Sequence, residues 1–388
     1  MQPRSAPTGQ RPAGRGAMGT EPGQTGGSPG EPLGAPSGEP FGKPFGKQGG
    51  EPAGAPSGMP TAPVRPAPIP LLAPAHGGPV LLVFNRKSGK RDGQGDATAF
   101  RAAVTQACAE AGRPLVALEA RRAQDLPRLA HQAVMQAQRE GGVVVAAGGD
   151  GTINLVAQHV LQARVAMGVL PQGTFNYFSR THGIPADTRA GMAVILQGRL
   201  QAVQAGLVND QVFLVNASLG LYAGLIADRE RAKARLGRSR WVALLAAVDT
   251  LWRGARTWEL KLQTEQGEAQ IRTTTVFVGN SALQLDQVGV PEAADVAHGA
   301  LAGVALLPMS RLAMVGLAAR AALARLAQAE AVQTFSFSDM VLSPVPLRRG
   351  RVARVAVDGE IRKLQFPLRF VVSPQPLWLM TPTEAADA

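Results

Sequence analysis

Between residues 79 and 171 the sequence alternates short apolar runs with helical patterns, and this alternation limits the possible folds more than any other feature. The apolar runs are Pro79–Phe84, Leu115–Leu118, Val143–Ala147 and Val165–Leu170. Continuous runs of this length are typical of strands buried on both faces. Helical patterns follow them near 96–111 and 125–140 and from about 152, the first with Asp96 as its predicted cap. The short connections predict a parallel α/β sheet.

The sequence on either side of this region has a different character. Residues 1–78 contain 17 Pro and 18 Gly, and the segment 30–40 recurs almost unchanged at 50–60. Such a composition cannot offset the entropy of ordering, so we expect a disordered tail. After about residue 200 most apolar segments read as strands, namely 212–216, 258–262, 273–278, 302–307, 334–337, 352–357 and 368–372. Helical patterns interrupt them at 222–253 and 309–329, which predicts a second, β-rich domain.

Composition excludes several classes of protein. The single cysteine, Cys108, rules out an intramolecular disulfide framework and a Cys-built metal cluster. The five histidines are scattered without the spacing of metal ligands. The formal net charge of +12 would suit nucleic acid, but no recognisable binding motif accompanies it, so we expect no nucleic-acid partner. No secretory signal is apparent at the N-terminus, which favours a cytoplasmic protein.

Three polar, glycine-containing segments follow predicted strands. They are Asn85–Lys90, Gly148–Asn154 (GGDGTIN) and Leu170–Asn176 (LPQGTFN). The carboxyl ends of parallel strands are where open α/β sheets bind ligands. Glycines permit close backbone approach, and a helix N-terminus favours an anion, so the three segments predict a phosphate site. A carboxylate at Asp150 suits either a magnesium ion beside the phosphates or a hydrogen bond that shapes the loop. The competing interpretation of GGDG is an ordinary strand-to-helix turn.

At these motifs the sequence resembles the diacylglycerol kinase catalytic-domain family, which includes bacterial lipid kinases and the sphingosine kinases and is distantly related to NAD kinase and phosphofructokinase. The matching residues are Asn85, Ser88 and Gly89 of an Asn-Pro-x-Ser-Gly motif, Gly148–Thr152, and Pro171, Gly173, Thr174 and Asn176 of a Pro-x-Gly-Thr-x-Asn motif. Weaker matches follow at 216–220 and at Val357–Glu360 (VDGE). Their order and spacing extend the resemblance over most of residues 79–381.

The resemblance implies an ATP- and Mg²⁺-dependent kinase that phosphorylates a hydroxyl of diacylglycerol or a related lipid. It implies a nucleotide-binding α/β domain at 79–205 and a β-rich, sandwich-like lipid-substrate domain at 206–381, whose last segment can pack back on the first domain. Asp358 would be the general base, with Asp150 as a second catalytic carboxylate. The nucleotide would lie among Asn85, Ser88, Gly89, Gly148, Gly149, Asp150, Gly151, Thr152, Gly173, Thr174, Asn176 and Glu360.

The sequence departs from the family pattern at several positions. Arg86 replaces the usual proline, Tyr177 stands where many members have aspartate, and Asn280–Leu283 replaces a frequent Asn-Asn-x-Tyr. The last change leaves it undecided whether the chain has a structural metal site. Asp358-Gly359 between two alternating runs is also a strong hairpin signal in its own right. Two alternatives therefore stay open, a small-molecule kinase of the NAD kinase type and a non-catalytic lipid- or nucleotide-binding member of the family.

The segment 228–252 carries a concentration of positive charge. Six basic residues lie between Asp228 and Arg240, and Trp241 and Trp252 flank the apolar stretch behind them. Such a helix can lie on an anionic membrane surface, which would place the protein peripherally at the inner face of the cell membrane. The alternative is a solvated helix face with buried tryptophans.

Overall fold

The N-terminal part of the fold is built on a mainly parallel sheet. A computed structural model describes residues 77–85, 94–220, 257–346 and 351–383 of the 388-residue chain. Its first four strands are β1 (Val80–Asn85), β2 (Leu115–Ala120), β3 (Val143–Gly148) and β4 (Ala166–Pro171). These strands pair in parallel in the order β2-β1-β3-β4. The predicted α/β sheet is therefore confirmed.

Helices cover both faces of this sheet. They are α1 (Gln94–Glu110), α2 (Leu126–Glu140), α3 (Asp150–Ala163), α4 (Tyr177–Thr181) and α5 (Thr188–Gln197). Alternate residues of β1 belong to different cores, because Leu81 packs in the core formed with α2 and α3 while Leu82 packs in the core formed with α1 and α5. Burial on both faces explains the uninterrupted apolar runs of β1, β3 and β4. The predicted cap at Asp96 is wrong, since α1 begins at Gln94 and Asp96 lies inside it.

The last strand of the described chain completes the same sheet. This strand, β18 (Leu377–Thr381), pairs in parallel with β4 and antiparallel with β5 (Arg199–Val203). The full order is β2-β1-β3-β4-β18-β5. The chain thus returns to the first sheet after forming the β-rich region.

Two antiparallel six-stranded sheets form the β-rich region of the described chain. One contains β6 (Gly206–Val208), β7 (Gln211–Phe213), β9 (Trp258–Thr264), β10 (Gly267–Thr273), β14 (Asp339–Pro344) and β17 (Leu368–Val372). The other contains β8 (Asn216–Gly220), β11 (Thr275–Gly279), β12 (Leu301–Leu306), β13 (Val332–Phe337), β15 (Val352–Val357) and β16 (Glu360–Gln365). One apolar core takes side chains from both sheets, among them Leu262 and Phe370 from the first and Leu219 and Val355 from the second. This is the predicted sandwich-like arrangement.

Three further helices lie beside the sheet that contains β8 and β12. They are α6 (Ala282–Gln287), α7 (Ala293–Ala297) and α8 (Arg311–Ala322). The helix predicted at 309–329 is therefore shorter than expected, and a separate 3₁₀ turn occupies Leu326–Gln328. The helix predicted at 222–253 lies outside the described residues. Among the helices that are described, none is long and apolar enough to cross a membrane.

Two predicted strands are each divided in the structure. The segment 212–216 breaks at Leu214 and Val215, whose amides bond to a side chain rather than to a neighbouring strand. The segment 273–278 breaks at Thr274, where the chain passes from β10 in one antiparallel sheet to β11 in the other. Both breaks depend on contacts with distant parts of the chain, which a local apolar pattern does not report.

Candidate functional site

A cleft of about 530 Å³ lies at the carboxyl ends of β1, β3 and β4. Its lining residues come from these strand ends, from α2 and α3, and from β16: Asn85, Ala123, Leu126, Pro127, Gly149, Gly151, Thr152, Leu155, Gln172, Gly173, Glu360 and Arg362. Segments from both ends of the chain therefore meet at one opening, at the edge of the sheet where the sequence predicts a ligand.

The two glycine loops of the cleft touch through their backbones. The Gln172 amide donates to the Gly148 carbonyl at 2.8 Å. A Cβ added to Gly173 would lie 2.9 Å from the Cα of Gly149, closer than real Cβ contacts allow. Gly149 precedes α3 and Asp150 begins it, so the N-terminus of this helix lies at the cleft, where Gly149, Gly151 and Thr152 line the wall. Glycine is required here by close approach, because a side chain would separate the loops.

Asp150 lies behind the cleft rather than in its wall. Burial raises the pKa of its carboxyl group, and the backbone amides of Phe178, Asn176, Tyr177 and Asp150 itself limit the rise. Its Oδ1 is enclosed and makes no regular hydrogen bond within the described part of the chain. This position favours the second of the two roles considered for Asp150, in which the carboxylate shapes the loops.

Asn176 also acts within its own loop. Its Oδ1 accepts from the Gly173 amide at 2.9 Å, and its Nδ2 donates to the Gly173 carbonyl at 3.1 Å. Its backbone adopts a positive φ of 49°, so asparagine suits the position. Asn176 therefore holds Gly173 in place against Gly149.

Asp358 and Gly359 form the turn between β15 and β16, and both have positive φ. The hairpin predicted from Asp-Gly is present, and the carboxylate of Asp358 also makes long-range contacts. Its Oδ1 accepts from the amides of Val215 and Asn216, each at 2.9 Å. Its Oδ2 accepts from the Leu214 amide and from the Asn154 side chain, each at 2.7 Å.

These four donors oppose the effect of burial on the pKa of Asp358. The residue as a whole is half-buried, yet protein atoms enclose its carboxyl group. Burial raises the pKa of this carboxyl from 3.8 to about 6, and the hydrogen bonds limit the rise. The group is thus ionised at neutral pH, when it can accept from all four donors. It fixes the β7–β8 connection to the hairpin and to α3.

Glu360 and Arg362 are the charged side chains of the cleft wall among the described residues. Arg362 Nη2 lies 2.8 Å from Glu360 Oε2. A Cβ on Gly151 would lie 2.8 Å from Glu360 Oε1, so the Glu360 carboxylate rests against the first turn of α3. Glu360 is the acidic group of the described chain that is best placed to meet a ligand in this cleft.

The structure divides the predicted site residues into groups. Asn85, Gly149, Gly151, Thr152, Gly173 and Glu360 line the cleft. Gly148, Asp150 and Asn176 support its loops from behind, Asp358 lies beyond it at the hairpin turn, and Thr174 is exposed without lining it. Ser88 and Gly89 lie outside the described residues.

Sequence reasoning missed Gln172, Arg362 and Asn154. Both polar atoms of the Gln172 side chain are enclosed without a hydrogen-bond partner among the described residues. Arg362 could have been found from the period of two along a strand, which places it on the same face as Glu360. Asn154 belongs to the quoted GGDGTIN segment, but its contact with Asp358, 204 residues away, is a tertiary feature.

A divalent cation fits the cleft as an ion held mainly by phosphates. Mg²⁺ in such sites takes one or two carboxylates together with substrate oxygens and waters, and Glu360 supplies one carboxylate. No group of three or more acidic, histidine or cysteine residues that could hold a metal occurs in the described chain. Asn280, in the segment that departs from the family, makes hydrogen bonds to Gln204 and to the Leu214 carbonyl.

Comparison with known proteins shows what the region around this site is similar to. Residues 79–208 match the family model of the diacylglycerol kinase catalytic domain. The resemblance suggested by the motifs is thereby confirmed over this region, which contains the GGDGT and PQGTFN segments.

Individual relatives are similar to the same part of the chain. A Klebsiella pneumoniae protein described as "Probable lipid kinase YegS-like" is 36% identical over 113 residues, which are 28% of this chain and 38% of that protein. The "Probable lipid kinase YegS" of Salmonella dublin is 35% identical over 130 residues, 31% of this chain and 44% of its own. The matches thus span less than half the length of these curated relatives.

The structural similarity covers more of the chain than the sequence similarity does. The crystal structure of a diacylglycerol kinase from Bacillus anthracis strain Sterne aligns with a TM-score of 0.58 at 19% identity. The alignment covers 78% of this chain and 97% of that structure. The parallel sheet and the β-rich region therefore form an arrangement already known among solved structures.

Proposed function

We propose that the protein is an ATP-dependent lipid kinase that transfers a phosphoryl group to a hydroxyl of diacylglycerol or a related lipid. The observation that carries the proposal is the meeting of the two glycine loops, the first turn of α3 and Glu360 in one cleft. The loops and α3 lie within residues 79–208, which match the diacylglycerol kinase catalytic domain, and Glu360 lies outside that match. Backbone amides and a helix N-terminus suit phosphates, and a carboxylate beside them suits a metal-bound polyphosphate.

In this reaction the lipid hydroxyl oxygen forms a bond to the γ-phosphorus and the bond to the β-phosphate bridging oxygen breaks, which releases ADP. Mg²⁺, when bound, neutralises phosphate charge. The residues of this chain hold the phosphates at Gly149, Gly151 and Gly173 and present Glu360 to the cation. The division into a nucleotide-binding domain at 79–205 and a lipid-substrate domain at 206–381 remains part of the proposal.

Asp358 is proposed as the group that accepts the hydroxyl proton. With a pKa of about 6 it is ionised at neutral pH and close to the range that suits a general base. Three of its hydrogen bonds come from backbone amides and the fourth from the Asn154 side chain. Rotation of the Asn154 side chain would free one lone pair of Asp358 Oδ2 to take the proton, while the Leu214 amide stays bound to the same oxygen.

The decisive experiment incubates the purified protein with radiolabelled ATP, Mg²⁺ and a panel of acceptors. The panel contains diacylglycerol, sphingosine, phosphatidylglycerol and NAD⁺, each lipid in mixed micelles. Label transferred to a lipid supports the proposal. Label on NAD⁺ alone would favour a small-molecule kinase, and ATP binding without transfer to any acceptor would favour a non-catalytic family member.

Asp150→Ala is expected to lower lipid phosphorylation at least about 100-fold, since the amides of 176–178 would lose the carboxylate that orders their loop. Enclosed amides left without an acceptor also cost about 1–3 kcal/mol of stability, so the variant should remain folded with a lower melting temperature. Turnover and circular dichroism of the same samples test this.

Asp286→Ala provides the control for Asp150→Ala, because Asp286 is exposed on α6. It should match the wild-type protein in both measurements. Wild-type turnover by a folded Asp150→Ala variant would contradict the role given to Asp150.

The membrane-surface role of 228–252 stays a prediction, since this segment lies outside the described residues. Vesicles containing anionic phosphatidylglycerol should bind the protein more strongly than neutral vesicles if the segment contacts lipid, because each cation near such a surface contributes about 1 kcal/mol.

A further inference from the structure

Arg362 is placed in the cleft by the geometry of β16. Side chains two residues apart on a strand point to the same face, so Arg362 shares a face with Glu360. Both line the cleft, with 40% of the Arg362 side chain and 49% of the Glu360 side chain exposed. The guanidinium group is thus accessible to a ligand.

Glu360 positions this guanidinium near the helix N-terminus. One carboxylate oxygen of Glu360 rests against Gly151 in the first turn of α3, and the other accepts from Arg362 Nη2 at 2.8 Å. A negative group at a helix N-terminus is stabilised by the free amides and the helix dipole. The Glu360 carboxylate therefore lies beside the place where the amides would attract a phosphate, with Arg362 immediately next to it.

The rest of the cleft wall offers little positive charge. Among the described lining residues Arg362 is the single cation, and the others are glycines, apolar side chains, uncharged polar side chains and Glu360. A nucleoside triphosphate carries several negative charges, and arginine forms paired hydrogen bonds with phosphate oxygens. Among the described residues of the wall, the guanidinium of Arg362 is therefore the natural side-chain partner for such a ligand.

We propose that Arg362 binds the phosphates of the nucleotide, and that Glu360 holds its guanidinium in place in the free protein. The inference rests on the proposed function, because it assumes that the cleft takes a nucleoside triphosphate. It adds a residue that the motifs did not include, since the VDGE match ends at Glu360.

Nucleotide binding by the whole chain tests this inference without requiring turnover. Isothermal titration with ATP, ADP and adenosine, each in EDTA and again with Mg²⁺, compares the wild-type protein with Arg362→Gln. We expect Arg362→Gln to weaken ATP binding by about 10- to 100-fold, the range for a charge-assisted contact, while adenosine affinity changes less than about twofold. Arg362→Lys keeps the charge but loses the paired hydrogen bonds. Its ATP affinity should lie between that of the wild-type protein and that of Arg362→Gln.

Lys363→Gln is the matched control, because Lys363 is the next residue on β16, points to the opposite face and is exposed. It removes the same charge and should leave ATP affinity within about threefold of the wild-type value, since exposed charges interact weakly across a protein surface. Melting temperatures of all variants establish that each is folded.

The outcomes separate the inference from the proposed function. ATP binding by Arg362→Gln within threefold of the wild-type value would overturn the inference and leave the kinase proposal standing. An equal loss for adenosine, or an equal loss in Lys363→Gln, would also overturn it, because neither pattern reflects a phosphate contact. Absence of ATP binding by the wild-type protein would overturn both proposals.

Discussion

Replacing Asp358 with asparagine is expected to lower lipid phosphorylation by about 10²- to 10⁴-fold, the usual contribution of a general base. The amide of asparagine does not take up the hydroxyl proton. Steady-state turnover, measured beside ATP titration on the same protein, should show this loss with little change in ATP affinity.

The same substitution should destabilise the fold, although asparagine keeps the size and turn preference of aspartate. The Asp358 carboxylate accepts four hydrogen bonds, whereas an asparagine side chain directs its own N–H groups at two of those donors. Leaving about two donors unpaired should lower the free energy of unfolding by about 2–4 kcal/mol. Turnover must therefore be measured well below the melting temperature of the variant.

Asp339→Asn is the control for this chemical change, because Asp339 pairs with Arg369 at a partly exposed site. We expect it to cost at most about 1 kcal/mol and to leave turnover unchanged. If Asp358→Asn is folded and turns over within a few-fold of the wild-type rate, Asp358 is purely structural. The base would then have to be sought elsewhere, first at Asp150.

The pH dependence of stability gives a second readout for Asp358. The pKa of Asp358 is 3.8 in the unfolded chain and about 6 in the folded protein. Between about pH 4 and about pH 6 the folded chain therefore binds more protons than the unfolded chain. The contribution of this group to stability is thus fully present below about pH 4 and is lost as the pH rises through about 6. Urea unfolding at several pH values should show this decline, and Asp358→Asn should lack it.

Gly173→Ala is expected to abolish measurable ATP binding, a loss of at least about 100-fold. The new Cβ would lie 2.9 Å from the Gly149 Cα and 2.7 Å from Asn176 Oδ1. The first neighbour is backbone and cannot rotate away, so the two glycine loops must separate. Misplaced donors at a phosphate site are costly because the site depends on groups fixed in advance.

Gly316→Ala makes the same chemical change where there is space, since a Cβ there would meet its nearest neighbour, Arg320 Nη1, at 3.7 Å. Gly316 lies within α8, where alanine is the better helix former, so stability should be equal or slightly higher. ATP affinity should match the wild-type value. Normal ATP affinity in Gly173→Ala would show that the contact between the loops is not needed for binding.

Much of the first sheet could be predicted because its signals are local. The strands β1, β3 and β4 are apolar runs buried on both faces, whereas β2 is a half-buried edge strand. The structure places the ends of all four within a few residues of the predicted bounds. The strands β5 and β18 escaped prediction because they join the first sheet by pairing with each other across a long stretch of chain. The strand β6, which also escaped, has only three residues. Strand pairing of this kind leaves little trace in the periodicity of a short segment.

The candidate site divides in the same way. The sequence by itself determined where the glycine loops lie, since GGDGT and PQGTFN directly follow apolar strand patterns, whereas the contact between Gly173 and Gly149 is tertiary. Only the tertiary structure decided what the charged residues contact. Asp358 meets the amides of Leu214, Val215 and Asn216 more than 140 residues away, and this contact divides the strand predicted at 212–216.

Arg362 lines the cleft because the β15–β16 hairpin contacts α3 through Glu360 and Asp358, a placement that no local pattern specifies. The physical reason is the range of the interactions. Backbone preference and hydrophobic periodicity are properties of a few neighbouring residues, whereas hydrogen bonds and ion pairs form between whichever groups the finished fold brings within about 3 Å of each other.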